Sequence, residues 1–178
     1  MFDLFKKKEP KKEESKPEIK KDIRPIVTNL AELRKSCLPV EKGENIKEII
    51  QALKDTLEAK KGLGITANQI GINKKISYVK IPKFIDKNKN IQYNDYVLIN
   101  AKIIEHDRPI KVMNEGCLSF HGVYVHTRRY VFITVEYLNE KLEHQVMSYQ
   151  DMESIAMQHE IDHQEGRTIF DRKWVAKW

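Results

Sequence analysis

Gln158-His159-Glu160-Ile161-Asp162-His163-Gln164-Glu165-Gly166 carries two imidazoles four residues apart. On a helix that spacing sets both rings on one face, where they can grip one metal ion. Glu160, beside the first histidine, is placed as a base. Gly166 tolerates positive φ and marks where the helix ends. The segment therefore reads as a metal-binding helix of the H-E-x-x-H kind, and it needs a third ligand.

That ligand is not downstream. The fifteen residues after His163 contain no histidine, and their only acids are Glu165 and Asp171. Glu165 projects about 200° around the helix from His163 and cannot share its metal, while Asp171 lies beyond the Gly166 break. Upstream, Cys117 in Glu115-Gly116-Cys117-Leu118-Ser119 is the candidate, because a thiolate binds metals strongly and Gly116 lets the backbone come close. For most lone cysteines the better reading is a small buried apolar residue.

A third segment, Gly62-Leu63-Gly64-Ile65-Thr66-Ala67-Asn68-Gln69, precedes the other two. Together the three resemble the peptide deformylase family, whose pattern is G-φ-G-φ-A-A-x-Q, then E-G-C-L-S, then Q-H-E-x-D-H. The resemblance spans residues 24 to 172, with one departure in the first motif, Thr66 in place of Ala. A dinucleotide fingerprint is a poorer reading of these glycines, since no strand, Gly-opened helix and later ribose-binding acid follow in order.

The resemblance implies a hydrolase that removes the formyl group from the N-terminal methionine of nascent formyl-methionyl peptides. It implies one divalent ion on Cys117, His159 and His163 with a position left for water, as in catalytic rather than structural sites. Fe(II) is the native ion it implies, with Ni(II), Co(II) or Zn(II) as substitutes, and ligand type alone does not choose among them. Such an ion lowers the pKa of its water from about 15.7 to near 7. Glu160 would take the proton and pass it to the departing amine. The backbone N–H of Leu118 and the side-chain amide of Gln69 would meet the oxyanion, and Arg129 would pair with Asp162 to orient the helix. Leu63, Met113, Met152, Ile155 and Ala156 match the apolar pocket for the methionine side chain. Gly64 and residues 120–124 match the backbone that pairs with an extended substrate. His106, His121, His126 and His144 lack ligand spacing and read as ordinary surface or strand residues.

Length and composition agree. A chain of 178 residues can bury one substantial core, 40% hydrophobic content suits a soluble enzyme, and no run approaches a membrane span. Cys117 is needed as a thiolate and Cys37 lies in a distant N-terminal segment, so a reducing compartment, the cytoplasm, is expected. The net charge of +6 is uneven: residues 1–24 carry nine Lys/Arg against six Asp/Glu, residues 167–178 carry four against one, and the stretch between is balanced. Residues 1–23 read as a disordered basic tail, and 24–178 as the catalytic domain. A solvated tail is the plain reading of these charges, and attraction to ribosomal RNA is the functional one. A monomer without membrane attachment is expected.

Periodicity places an amphipathic helix between Asn45 and Lys61, with Gly62 as terminator. Strands are expected at 75–81, 96–99, 102–105, 122–126, 130–138 and 142–149, with turns at 86–90 and 139–140. Ser148 and Asp151 suggest a capping box before the metal helix. The expected fold is α+β, antiparallel sheets packed around a central metal-binding helix.

Further departures from the family pattern are Gln164 for Leu, His121 for Pro, and Asp151 for Gly. They bear on pocket shape and substrate preference. The chain ends soon after the third motif, as in short family members, virus-encoded ones included, that lack a long C-terminal helix. Two other classes compete. A metalloprotease lacks its downstream ligand here, and a non-catalytic descendant would be expected to have lost Glu160, Gln69 or a ligand.

Overall fold

A computed structural model describes residues 21–85 and 90–176. The expected tail therefore lies, up to residue 20, outside the described residues. Lys21 and Asp22 are already tied to the first long helix, Lys21 Nζ to Glu58 at 2.8 Å and the Asp22 amide to the Asp55 carboxylate at 2.8 Å.

After a short turn of helix, α1 (Leu30–Leu33), comes the amphipathic helix, α2 (Lys47–Lys60). Ile46, Ile50, Leu53 and Leu57, spaced three and four apart, form its buried stripe. Its end differs from expectation. Lys61, not Gly62, takes the left-handed conformation, with φ of 56°. Gly62 is crowded instead, since a Cβ there would lie 2.9 Å from the methyl end of Leu57 and 3.0 Å from that of Leu118.

Among the described residues seven strands follow: β1 (Gly64–Thr66), β2 (Ile76–Ile85), β3 (Ile91–His106), β4 (Pro109–Gly116), β5 (Tyr124–Tyr130), β6 (Phe132–Leu138) and β7 (His144–Gln150). An antiparallel sheet runs β1-β2-β3-β6-β7, and β4 pairs with β5 in a separate ribbon. The two segments expected at 96–99 and 102–105 are one strand bent at Asn100, whose φ is 53°. There the pairing passes from β2 to β6. Asn100 secures the bend by bonding both the amide and the carbonyl of Val40, at 2.9 and 3.0 Å.

Strand β4 was not expected from the pattern. Its one fully buried side chain is Glu115, an acid, and its apolar Ile110 and Val112 are only half-buried.

Strand alternation divides the core in two. Ile76, Tyr78, Val97 and Ile99 face α2, whereas Val79, Ile81, Leu98, Ile133 and Val135 face the opposite side with Met157 and Ile161. Those last two belong to the metal helix, α3 (Asp151–Gln164). This helix has no apolar stripe, and Ser154, Gln158, Glu160, Asp162, His163 and Gln164 are all buried. Burying so many polar groups requires partners, and among the described buried side chains of this helix only Nδ1 of His163 lacks one. Gln158, for example, accepts from the amide of Tyr130 at 2.9 Å and donates to its carbonyl at 2.8 Å.

The expected capping box is absent: Ser148 lies in β7 and contacts the Thr134 hydroxyl at 3.1 Å. Asp151 instead turns the corner with φ of 51°, which accounts for the position being one that suits glycine. Gly166 has φ of 71°, and a Cβ there would lie 2.5 Å from the Arg34 carbonyl oxygen. Among the described residues no helix is long and apolar enough to cross a membrane.

Candidate metal centre

Two elements from different layers bring the expected ligands together. His159 and His163 occupy successive turns of α3, their ring centroids 5.1 Å apart. Cys117 follows the last residue of β4 and opens a tight turn closed by the Phe120 amide on the Cys117 carbonyl at 3.0 Å. Its Sγ lies 3.3 Å from Nε2 of His163, and the three ligand atoms fall within 4.8 Å of one another. Four-coordinate bonds of about 2.3 Å to sulfur and 2.0–2.1 Å to nitrogen place such atoms roughly 3.3–3.6 Å apart. The donor set fits one divalent ion.

Glu115, to which the sequence reading gave no role, orients the first ligand. Its Oε1 lies 2.7 Å from Nδ1 of His159. An ionised carboxylate only accepts, so Nδ1 carries the hydrogen and Nε2 is left for a metal. Thr127 also donates to Glu115. Burial pushes the Glu115 carboxyl up, but its bonds to Arg129 and His159 override this and hold it far below the usual carboxylate range.

Arg129 is 1% exposed and bridges two acids, Glu115 through Nε and Nη2 at 2.9 and 2.5 Å, and Asp162 through Nη1 at 2.5 Å. The expected Arg129–Asp162 pair is thus part of a larger array, in which Arg172 also reaches Asp162 at 2.6 Å. Burial raises the Asp162 carboxyl, and Arg172 and Arg129 together more than reverse it. Buried guanidinium–carboxylate contacts of this geometry fix the direction of both backbones.

The two histidines are driven apart. Burial lowers both, but His159 ends well above its ordinary value because Cys117 and Glu115 favour its protonated form. Burial, then the charge of His159, take His163 down to about 3. A cation among these groups would favour the deprotonated form of each ligand.

Glu160 is 3% exposed. Burial raises its carboxyl, opposed by the charge of His159 and by a bond from Thr66. Its Oε2 accepts from the Thr66 hydroxyl at 2.7 Å. Its other face lies against Gly64, where a Cβ would stand 2.4 Å from Oε1. The second glycine of the first motif is therefore there because Glu160 occupies the space.

Gln69 is also brought in. Its Oε1 accepts from the Thr66 amide at 2.9 Å, which turns Nε2 toward the site, 3.2 Å from Ser119 Oγ and 3.6 Å from Cys117 Sγ. Leu118 sits in the turn after Cys117 with its side chain packed on the α2 core.

Comparison with known proteins decides the lineage. The family described as Polypeptide deformylase matches residues 23–177. The chain belongs to the polypeptide deformylase family. Among its relatives, Peptide deformylase 2 of Clostridium perfringens is 37% identical over 142 residues, 79% of this chain and 85% of that protein. The peptide deformylase of Brachyspira hyodysenteriae is 33% identical over 143 residues, 79% of this chain and 74% of that one. The deformylase crystal structure from Thermotoga maritima superposes with a TM-score of 0.74 at 28% identity, covering 86% of this chain and 99% of that chain.

The remaining site residues are placed as follows. Leu63, Met113 and Met152 are exposed, and Ile155 and Ala156 are half-buried. Gln164, one of the departures read as bearing on pocket shape, is the last residue of α3. It is fully buried and bonds Ser77 and the backbone of Leu98 and Ala101. Cys37 is not remote, since its amide donates to the Gln164 carbonyl at 3.0 Å and its Sγ lies 3.6 Å from the His163 carbonyl. Burial pushes the Cys37 thiol up to about 11, so it remains protonated beneath the metal helix. The other histidines have ordinary surroundings: His106 stacks on Tyr130, His121 is exposed, His126 accepts from the Asn114 amide, and His144 pairs with Glu136.

Proposed function

We propose that this chain is a working peptide deformylase, a metal-dependent hydrolase that removes the formyl group from the N-terminal formyl-methionine of newly synthesised polypeptides. The observation that carries this is the convergence of Cys117, His159 and His163 beside the buried carboxylate of Glu160. A divalent ion held there by these three side chains would supply an acidified water and polarise the formyl carbonyl.

The side chains do the rest. Glu160 accepts the proton of the attacking water and returns it to the amine that leaves. Gln69 Nε2, aimed by its bond to the Thr66 amide, and the backbone N–H of Leu118 donate to the oxygen that becomes negative, and one such donor is worth about 10²–10³ in rate. Arg129 and Asp162 hold the helix in register with Glu115.

The substrate approaches along β1. This strand is the edge of its sheet, paired on one side with β2. Its other edge, at Gly64, offers backbone groups to an extended peptide. Leu63, Met113, Met152, Ile155 and Ala156 would receive the methionine side chain, whose flexible thioether suits an adaptable apolar wall.

One thiolate and two imidazoles accept Fe(II), Ni(II), Co(II) and Zn(II) alike. We assign Fe(II) as the native ion, on the resemblance. Metal analysis after oxygen-free purification should find iron at one per chain, and activity of that preparation should decay in air while a Ni(II)-loaded sample endures.

The thiolate requirement supports a cytoplasmic setting, and the basic ends support contact of a monomer with the ribosome. Deleting residues 1–20 should leave turnover of a short formyl peptide unchanged and weaken ribosome co-sedimentation, more so at low salt. Equal binding by both forms would discard the ribosome contact alone.

The deciding assay compares formyl-Met-Ala-Ser, acetyl-Met-Ala-Ser and an unmodified protein. Release of formate from the first, with the other two intact, is the expected result. Cleavage of the unmodified protein would point to a protease, and inertness of metal-loaded enzyme toward all three to a non-catalytic descendant.

A further inference from the structure

Thr66 and Gln164, two residues that depart from the family pattern at positions far apart in sequence, meet through a third. Gln164 Nε2 lies 2.8 Å from Ser77 Oγ, Ser77 Oγ lies 2.8 Å from Thr66 Oγ1, and Thr66 Oγ1 lies 2.7 Å from Glu160 Oε2. Thr66, Ser77 and Gln164 are all 0% exposed.

The direction of this chain is set by its far end. The Gln164 Oε1 accepts from the Ala101 amide at 3.1 Å, and its Nε2 donates to the Leu98 carbonyl at 3.0 Å. A backbone N–H can only donate and a carbonyl can only accept, so the amide cannot be turned over. Gln164 therefore donates to Ser77. The Ser77 hydroxyl passes its own hydrogen to Thr66, and Thr66 directs its single hydrogen to the nearest acceptor left, Glu160 Oε2, with the Glu160 carbonyl farther away at 3.1 Å. Each donor in such a series polarises the next.

We propose that Gln164, Ser77 and Thr66 form a one-way donor chain that anchors Oε2 of Glu160 and reserves Oε1 for the proton taken from water. Thr66 is then a positioning residue of the reaction. The inference rests on the deformylase reading. The O–H bond of water breaks as the Oε1–H bond forms, on the side of the carboxylate that faces Gly64, and the same proton later moves to the amine nitrogen. With Oε2 held, the carboxylate cannot rotate to present the wrong oxygen, so less orientation is left to chance in each turnover.

The test uses the full chain, loaded with Ni(II), on formyl-Met-Ala-Ser. Thr66→Val keeps the shape of the side chain and removes the hydroxyl. It should lower kcat about tenfold, the lower range for a lost outer partner, with KM and metal content unchanged. Thr66→Ser retains the hydroxyl and should keep kcat within about twofold of the parent. Ser77→Ala should lower kcat less, and in the Thr66→Val background it should lower it no further, because its effect passes through Thr66. Thermal unfolding of each variant separates loss of fold from loss of positioning.

An active parent with Thr66→Val at parental kcat overturns the chain. So does Thr66→Ser as impaired as Thr66→Val, or additive losses in the double variant. A metal-loaded parent that leaves the formyl peptide intact overturns the deformylase reading, and the chain with it.

Discussion

Oε1 of Glu115 stands 2.7 Å from Nδ1 of His159, and this contact leaves Nε2 as the ring nitrogen available to a metal. Replacing Glu115 by Gln weakens the acceptor and allows the amide to present its NH₂ instead. Metal affinity should fall about 10–100-fold, the usual cost of losing the partner of a ligating histidine. Chelator competition measures it, and unchanged affinity would deny Glu115 its orienting role.

Glu160→Gln keeps the size of the side chain and removes the proposed base. Metal content should remain at one per chain while kcat falls at least about 10²-fold. Near-normal turnover by the metal-loaded variant would exclude Glu160 from proton transfer.

Arg129 neutralises two buried acids at once. Arg129→Met would leave Glu115 facing only His159 and Thr127, so stability should fall by about 3–5 kcal/mol, as when one partner of a buried ion pair is removed. Urea unfolding measures this. A loss below about 1 kcal/mol would class the array with surface ion pairs.

The same array sets the acid limit. Glu115 and Asp162 have folded pKa values below their ordinary 4.5 and 3.8, so the unfolded chain binds their protons first. Their stabilisation is complete above about pH 5 and is lost as pH falls toward the folded values. In metal-free protein the two ligand histidines act in successive windows. His159, raised above 6.5, adds stability as pH falls toward 6.5, and His163, lowered from 6.5 to about 3, removes it as pH falls further. Urea midpoints should therefore decline most steeply below about pH 4.5. A midpoint unchanged between pH 5 and 3 would contradict the pairing.

Much of this was legible in the sequence because it rests on local spacing. The i, i+4 histidines mark α3, the Ile and Leu repeat marks α2, and the β-branched runs mark most strands. What escaped depends on contacts between distant segments. Strand β4 hid because its inward residue is an acid, and Glu115 gains its meaning only when α3 brings His159 to it. The bond of Gln164 escaped for the same reason: its partner Ser77 is 87 residues away. Helix ends were misread where Lys61 and Asp151 adopt conformations that glycine would signal.

Gly62 and Gly64 look alike in the motif yet differ in what crowds them. A Cβ at Gly62 would meet the methyl ends of Leu57 and Leu118 at 2.9 and 3.0 Å, and such tips can swing aside. A Cβ at Gly64 would stand 2.4 Å from Oε1 and 2.8 Å from Cδ of Glu160, a side chain held from its other oxygen by Thr66. Glu160 cannot retreat without breaking that bond or leaving its place beside the metal ligands. Gly64→Ala should thus lower kcat by about 10²-fold, comparable to losing the base itself, with metal still bound. Gly62→Ala should cost about 1 kcal/mol of stability or less and leave kcat within about twofold. Steady-state kinetics and urea unfolding of the two variants compare them directly. Equal, small effects on kcat would mean that Glu160 moves freely, and that its fixed position contributes nothing to catalysis.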